Sequence, residues 1–354
     1  MKLLYLGNRL SKHGFNKTTI ETLGLQLEQE GYTIYYASDK KSFLFRLLDM
    51  IWAVFIYRKQ VSYILIDAYS TKAFWYAFFC SQLARIFNIK YIPILHGGDL
   101  PNRLKKNPMF CRMLFSNAYK NVAPSDYLKQ AFEKEGFKNV IHIPNTIEIE
   151  KYEFKLRTEL TPNLLWVRAF ASIYNPKMAV KVLQQLQEQY PSATLTMVGP
   201  DKDGSLQTTK DFAKSLGITV NFSGQLTKEE WWELASKHDI FINTTHFDNT
   251  PVSVMEAMAL GLPVISTNVG GIPFLLANEQ NALLVPDNDI TAMTNAVLDL
   301  LENKYIISFE QDGENLYELT DAGRQALELV SDIIPGIAKF RVDNSFKETL
   351  GDFQ

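Results

Sequence analysis

The sequence predicts an α/β protein made of two facing Rossmann-like domains followed by an atypical α/β tail. Three observations lead there. A length of 354 residues corresponds to two domains at roughly 150 residues each. Short apolar, β-branched runs recur about every 25 residues with helix-periodic stretches between them, the rhythm of parallel strands joined by crossover helices. The charge also changes along the chain: residues 1–155 carry 22 Lys and Arg against 13 Asp and Glu, and residues 156–354 carry 14 against 26. The expected limits are therefore 1–155, 156–303 and a tail over 304–354.

In the first half, "KLLYLG" is a short strand ending in glycine. Residues 18–30 place Ile20, Leu23 and Leu27 at helical spacing, and Gly31 stops that helix. "YTIYYA", "SYILIDA" and "KYIPILHGG" are further strands, and the half closes with "KNVAPS", a helix ending at Gly136, and "VIHIPNTIE". The second half runs "NLLWVRAF", a helix from Pro176, "ATLTMVG", a helix over 205–216 ended by Gly217, and "ITVNFSG". A helix then opens on a capping box of Thr227 and Glu230. "IFINTT", the turn "HFDNTP", the helix "VSVMEAMALG" and the strand "LPVISTN" follow.

Composition narrows the function classes. Apolar residues are 46% and charged residues 21%, the balance of a folded chain. Cys80 and Cys111 are too few for a disulfide framework or a four-cysteine zinc site, so a reducing cytoplasm is expected. The opening "MKLLYLGNRLSKHG" reads as strand and turn rather than as a secretory signal. The apolar stretches 44–57 and 73–80 fall short of the roughly 18 residues needed to span a bilayer. The basic first half suits an anionic membrane surface or an acidic substrate; alternatively, the opposite charges keep the two halves docked or soluble. Stretch 44–57, flanked by Lys40, Lys41, Arg58 and Lys59, fits either a helix lying on a membrane or a helix buried in the first domain.

No phosphate-loop, zinc-protease, C-x-x-C or nucleophile-elbow motif occurs, which removes the commonest ATPase, metalloprotease, redox and hydrolase readings. Asp201 and Asp203 in "GPDKDG" read as a solvated turn rather than a metal pair. The informative stretch is "HFDNTPVSVMEAMALGLPVISTNVGG". Pro251 suits the first turn of a helix, so amides around Asn249, Thr250, Pro251 and Val252 would face an anion such as a diphosphate. Glu256 sits in an apolar surround, where a carboxylate needs an assigned partner, such as a ribose diol. Asp248, outside the helix, either accepts bonds from sugar hydroxyls or caps the helix.

This stretch resembles the Glu-x7-Glu motif of retaining GT-B-fold glycosyltransferases, the glycosyl transferases group 1 family, with Asp248 where the first Glu usually stands. "HGGD", "VAPSDYL", "IPNTIE", "LLWVRAF" and "NALLVPDND" resemble further elements of that family in order, over residues 1 to about 303. The resemblance implies transfer of a sugar from a nucleotide-diphospho-sugar donor to a glycan or lipid-linked acceptor, with retained configuration and no essential metal or other cofactor. It implies that Arg168 grips the diphosphate, that Asp248 holds the transferred sugar, and that Glu256 binds the ribose. Ser223, Gly224 and the loop after Gly199 would line the base pocket, and His96 would lie near the sugar. Gly97, Gly98 and Asp99 would mark the acceptor side, and the basic run of Arg103, Lys105, Lys106 and Arg112 after them fits either an anionic acceptor such as a lipid diphosphate or a solvated basic loop.

Two departures from the family stand out. Its arginine is usually paired with a lysine in a Lys-Gly step, whereas this chain has Asn175-Pro176 there. Either Lys177 reaches the phosphates, or Asn175 and the helix amides replace that charge. The tail, 304–354, reads as strand, Asp-Gly turn, strand and a helix capped by Thr320, similar to the ending of winged-helix proteins. With 5 basic against 10 acidic residues it is a poor nucleic-acid binder, and no nucleic-acid partner is expected. The resulting expectation is a cytoplasmic enzyme of cell-surface polysaccharide biosynthesis, with a peripheral place at the inner membrane face. The rivals are a non-catalytic nucleotide-sugar-binding subunit and a nucleotide-sugar epimerase.

Overall fold

The computed structural model describes residues 1–13, 18–145, 147, 149–157, 159–302, 306–311 and 314–319. Two compact units divide it, one holding Met1–Pro144 and the other beginning at Asn145.

In the first unit the chain runs β1 (Lys2–Leu6), α1 (Thr19–Gln29), β2 (Thr33–Ala37), α2 (Phe43–Tyr57), β3 (Tyr63–Ala68) and α3 (Phe74–Ile86). It continues through β4 (Lys90–Leu95), α4 (Leu100–Lys106), α5 (Pro108–Phe115), β5 (Asn121–Ala123), α6 (Asp126–Lys134) and β6 (Val140–His142). The strands form one parallel sheet in the order β2-β1-β3-β4-β5-β6. Strands β1, β3 and β4 are buried almost end to end, as a sheet covered on both faces requires. Each helix stop read from the sequence has its structural counterpart: Gly31 and Gly136 take positive φ just past α1 and α6, where a side chain would be strained.

The second unit repeats the scheme with β7 (Asn163–Val167), α7 (Pro176–Gln189), β8 (Thr194–Val198), α8 (Ser205–Ser215), β9 (Asn221–Gly224) and α9 (Lys228–Ala235). Then follow β10 (Ile240–Asn243), α10 (Val252–Ala259), β11 (Val264–Thr267), α11 (Ile272–Leu275), β12 (Leu283–Val285) and α12 (Ile290–Glu302). Its sheet order is β12-β11-β10-β7-β8-β9, again parallel throughout. The capping box at α9 forms: the Thr227 amide donates to Glu230 at 2.8 Å, and the Glu230 amide to the Thr227 hydroxyl at 3.2 Å. Beyond α12, β13 (Ile306–Gln311) and β14 (Glu314–Leu319) pair as an antiparallel hairpin. The helix expected after Thr320 lies outside the described residues.

Both sheets share one topological property. In the first, the chain leaves β1 for β2 on one side and then crosses to β3; in the second it goes from β7 to β8 and β9 before crossing to β10. The loops beyond the strand ends diverge at β1/β3 and at β7/β10, which opens a crevice where open α/β sheets hold ligands.

The segment entering the second unit packs onto that unit. Ile147 joins Met255 and Ala259 in a small apolar cluster, and the Arg157 side chain donates to the carbonyls of Lys155, Ala235, His238 and Leu260 at 2.8–3.0 Å. Burial brings this guanidinium down to about 10, against the opposing pull of Asp239. Cys80 and Cys111 are both buried free thiols, and burial pushes each up to about 12. Among the described residues no helix is long and apolar enough to cross a membrane.

Arg157→Ala removes four charge-assisted bonds and leaves carbonyls unpaired, so it is expected to cost about 3 kcal/mol in urea unfolding. His238 is buried, with its ring nitrogens 2.8 Å from the Leu234 carbonyl and from the Thr196 hydroxyl. Burial holds its pKa below the ordinary 6.5, although the bond to Leu234 opposes this. The unfolded chain therefore takes up the proton first, so the stability His238 contributes is full above 6.5 and is lost as pH falls through the lower folded value. Stability measured from pH 7.5 to pH 5 should show this loss, and His238→Gln should flatten it.

Candidate active site

In the second unit, the loops leaving β7 and β10 at the switch point bring Arg168 and Asp248 together as an ion pair. The Arg168 guanidinium also lies 4.3 Å over the Tyr174 ring, a cation–π contact, and its Nη1 donates to Ser253 Oγ at 3.4 Å. Ser253 is the second residue of α10, so the cation stands at that helix's N-terminal end, where the helix dipole favours negative charge. Burial lowers the Arg168 pKa, with Tyr174 acting the other way. Its Nε is buried without a hydrogen-bond acceptor among the described residues, a donor free to meet an anion.

Glycines set how closely these loops approach. A Cβ on Gly199, past the end of β8, would overlap the Arg168 carbonyl oxygen, and φ there is +148°. The Gly199 amide donates to the Gly224 carbonyl at 2.7 Å. Val198 pairs with Gly224 and Met197 with Phe222, so Ser223 sits at a register shift between them. On the other side, Gly270 and Gly271 leave room for the backbone of Asp248 and Asn249. The structure thus gathers Arg168, Gly199, Ser223, Gly224, Asp248 and Asn249 around the ends of neighbouring strands.

Pro251 departs from expectation. It is the N-cap of α10 in extended conformation, and Val252 is the first helical residue; the Pro251 carbonyl accepts from Val254 at 3.1 Å and Met255 at 3.3 Å. The Thr250 carbonyl accepts from Asn145 Nδ2 at 3.4 Å. Asp248 does not cap the helix: Oδ1 accepts from the Asn249 amide at 2.8 Å and Oδ2 faces Arg168. Glu256 is 4% exposed, and its Oε1 accepts from Tyr152 Oη at 2.8 Å and Lys228 Nζ at 2.7 Å.

Lys177 and Asn175 take different places. Lys177 Nζ lies 5.6 Å from the Phe212 ring on α8, and nothing in its contacts brings it to Arg168. Asn175 is the left-handed N-cap of α7 (φ 46°, ψ 54°), a conformation that asparagine tolerates better than most side chains. Its carbonyl accepts from Thr244 Oγ1 at 3.0 Å and its amide nitrogen donates to Asn288 at 3.2 Å. Asp201 and Asp203 turn onto nearby amides, the solvated turn that was expected. The Ser172 amide, first among these donors, brings Asp203 down to about 2.

In the first unit the other switch point holds a buried carboxylate. Asp67, on β3, accepts from Tyr5 Oη at 3.1 Å and lies 2.9 Å from His96 Nε2, just past β4. With Asp67 ionised, Nε2 carries a proton toward it, which fixes the orientation of the His96 ring. Gly7 makes space for Asp67 Oδ2, which is buried and unpaired among the described residues. Burial and the nearby Asp67 charge push the Tyr5 hydroxyl well above its usual value. A Cβ on Gly97 would strike the Ser70 amide, so the "HGG" turn needs glycine there; Gly98 follows it, and Asp99 precedes α4 and accepts from Asn102.

Arg103 corrects the acceptor-side expectation. Its guanidinium is committed to the Ser70 and Thr71 carbonyls and to Asn107, so it braces the 70–71 loop. Lys105, Lys106 and Arg112 are exposed.

Sequence reasoning passed over Asp67, Tyr152, Tyr174 and Lys228. Only Asp67 had a usable signal: a carboxylate inside the otherwise apolar "SYILIDA" requires a partner.

This architecture is the GT-B fold seen in glycosyltransferases. Sucrose-phosphate synthase of Thermosynechococcus elongatus matches with a TM-score of 0.78 over 99% of each chain at 16% identity. HepE of Anabaena, solved with UDP-glucose, matches with a TM-score of 0.69 over 96% of this chain and 98% of its own, at 17% identity. Residues 148–318 match the family described as glycosyl transferases group 1. Among curated relatives, D-inositol 3-phosphate glycosyltransferase of Mycobacteroides abscessus is 28% identical over 169 residues, 46% of this chain and 37% of its own. WcaL of Escherichia coli, named for colanic acid biosynthesis, is 48% identical over 217 residues, 58% of this chain and 53% of its own. The chain spans about half the length of the curated relatives it matches. The family match takes in just under half of the chain.

Gly199→Ala and Gly224→Ala separate close approach from backbone preference. Both glycines have positive φ, but nothing lies within 4 Å of a Cβ at Gly224. Gly224→Ala should cost about 1 kcal/mol and Gly199→Ala more than 2 kcal/mol in thermal unfolding; equal losses would contradict the packing described.

Proposed function

We propose that the protein is a retaining glycosyltransferase that moves a sugar from a nucleotide-diphospho-sugar to a hydroxyl of a glycan or lipid-linked acceptor in cell-surface polysaccharide biosynthesis. The observation that carries this reading is the half-buried Arg168, whose buried Nε is an unused donor, beside the N-terminal end of α10. The donor diphosphate rests on the amides opening α10, and Arg168 draws the charge that develops on the leaving group. Glu256, whose Oε1 is fixed by Tyr152 and Lys228, accepts the ribose diol. Asp248 accepts from hydroxyls of the transferred sugar, and backbone groups around Gly199, Ser223 and Gly224 face the base. On the acceptor side, Asp67 orients His96 toward a sugar hydroxyl. No side chain is assigned as general base; a donor phosphate oxygen takes the acceptor proton as the new glycosidic bond forms on the face the leaving group vacates. A resident metal has no part in this scheme. HepE, solved with UDP and with UDP-glucose, makes UDP-sugars the first donors to try.

A second reading, a nucleotide-sugar-binding subunit without turnover, is favoured by one observation: Lys177 turns to Phe212 and leaves the diphosphate site one cation short. Slow hydrolysis of a bound donor by the isolated protein would exclude it.

A panel of UDP-, GDP- and ADP-sugars should raise the melting temperature with one nucleotide preferred. With that donor, Glu256→Ala should weaken binding about 10- to 100-fold. Arg168→Ala should lower turnover roughly 100- to 1,000-fold. Unchanged binding and turnover in both variants would defeat the assignment, and inversion at the anomeric carbon, read by NMR of the product, would defeat retention.

A further inference from the structure

Helix α2 settles half-way between the two expectations for it. Its inner face is core, with Met50, Ala53 and Val54 buried. Arg46 is buried too, its guanidinium spent on the carbonyls of Lys40 and Lys41 and on Asn8 Oδ1 at 2.7–2.9 Å. Its outer face is apolar and open to solvent: Leu44, Phe45, Leu48, Trp52, Phe55 and Ile56 are all exposed, Trp52 by 60%. Phe43 stacks on Tyr76 at one end (4.7 Å), and Phe55 meets Phe87 at the other (6.0 Å). Helices α2 and α3 therefore lie side by side in the same direction, and α3 extends the apolar surface with Phe79 and Ile86, the latter 75% exposed. Single exposed apolar residues are ordinary; a continuous face of this size marks an interaction surface.

The charges around the face select its occupant. Lys40 and Lys41 stand at the start of α2, Arg58 and Lys59 at its end, with Arg85 near the end of α3. The Arg58 guanidinium lies 4.1 Å over Phe55, so the cation borders the apolar stripe directly. Against these stand Asp39, which pairs with Lys40 at 3.4 Å, and the half-buried Asp49. A second copy would bring the same cations against each other, which disfavours self-association. An anionic lipid surface offers what this face lacks: phosphates for the cations at both ends and an acyl boundary for the side chains between them.

We propose that α2 and the adjoining edge of α3 seat the first unit on an anionic phospholipid surface, with α2 lying in the plane of the interface. The inference rests on the first unit alone and stands whether or not the chain transfers a sugar.

The test is cosedimentation of the full chain with vesicles of phosphatidylcholine alone or with one third phosphatidylglycerol. Binding is expected to the anionic vesicles, weakening as salt rises, with Trp52 emission shifting to the blue and quenched by brominated lipid. Lys40→Gln with Lys41→Gln should weaken binding about fivefold per charge removed. Leu48→Glu with Trp52→Glu should weaken it more than tenfold; both residues are exposed, and an unchanged unfolding temperature checks that the variant folds. No binding of the parent chain to anionic vesicles overturns the proposal, as does equal binding by the glutamate variant. A concentration-dependent dimer that the glutamate variant abolishes, without lipid binding, would assign the face to a second copy instead.

Discussion

The second unit is organised around a guanidinium largely withdrawn from water. Taking a cation from solvent costs several kcal/mol unless counter-charge and acceptors stand ready, and Arg168 finds them on three elements that are distant in sequence: Asp248 after β10, Ser253 on α10 and Tyr174 before α7. They converge because the sheet reverses its winding between β7 and β10, so the loops past those strand ends part and leave space over the sheet edge. Gly199, Gly270 and Gly271 are the local condition for this arrangement, since each admits backbone where a methyl group would collide.

The first unit solves a related problem with opposite charge. Asp67 is a buried anion on a central strand, and it is offset by Tyr5 and His96, which come from the strands on either side. In both units an otherwise costly buried charge sits at the switch point and orients a neighbour that reaches the strand ends. The pairing is economical: desolvation strengthens the electrostatic hold on a fixed geometry, and a fixed geometry is what transfer chemistry needs.

Much of this was legible in the sequence, because the signals are local. Apolar runs gave the buried strands, Ile20, Leu23 and Leu27 gave α1, and Thr227 with Glu230 announced the start of α9. The stretch around Asp248 and Glu256 could be marked because its proline, carboxylates and apolar surround lie within a dozen residues. What escaped was the second partner in each pair. Tyr152 reaches Glu256 across 104 residues, and Asp67 reaches His96 across 29; no periodicity encodes such distances. The fate of Lys177 was equally hidden, because one helical position decides whether a side chain faces the strand ends or the neighbouring helix. Arg103 looked like a free cation because sequence does not show which carbonyls a loop leaves unpaired. For α2, nearly uniform apolarity concealed that only one face is covered; the buried Arg46 turns out to fix which one.

The two thiols carry a practical consequence. Cys80 and Cys111 are enclosed and held protonated well above neutral pH, and the chain has no other cysteine. Maleimide and iodoacetamide react with exposed thiolates, so the folded protein gives them little to attack. A single cysteine introduced on the surface would become a selective attachment point for a fluorophore or spin label, with the native pair left in place.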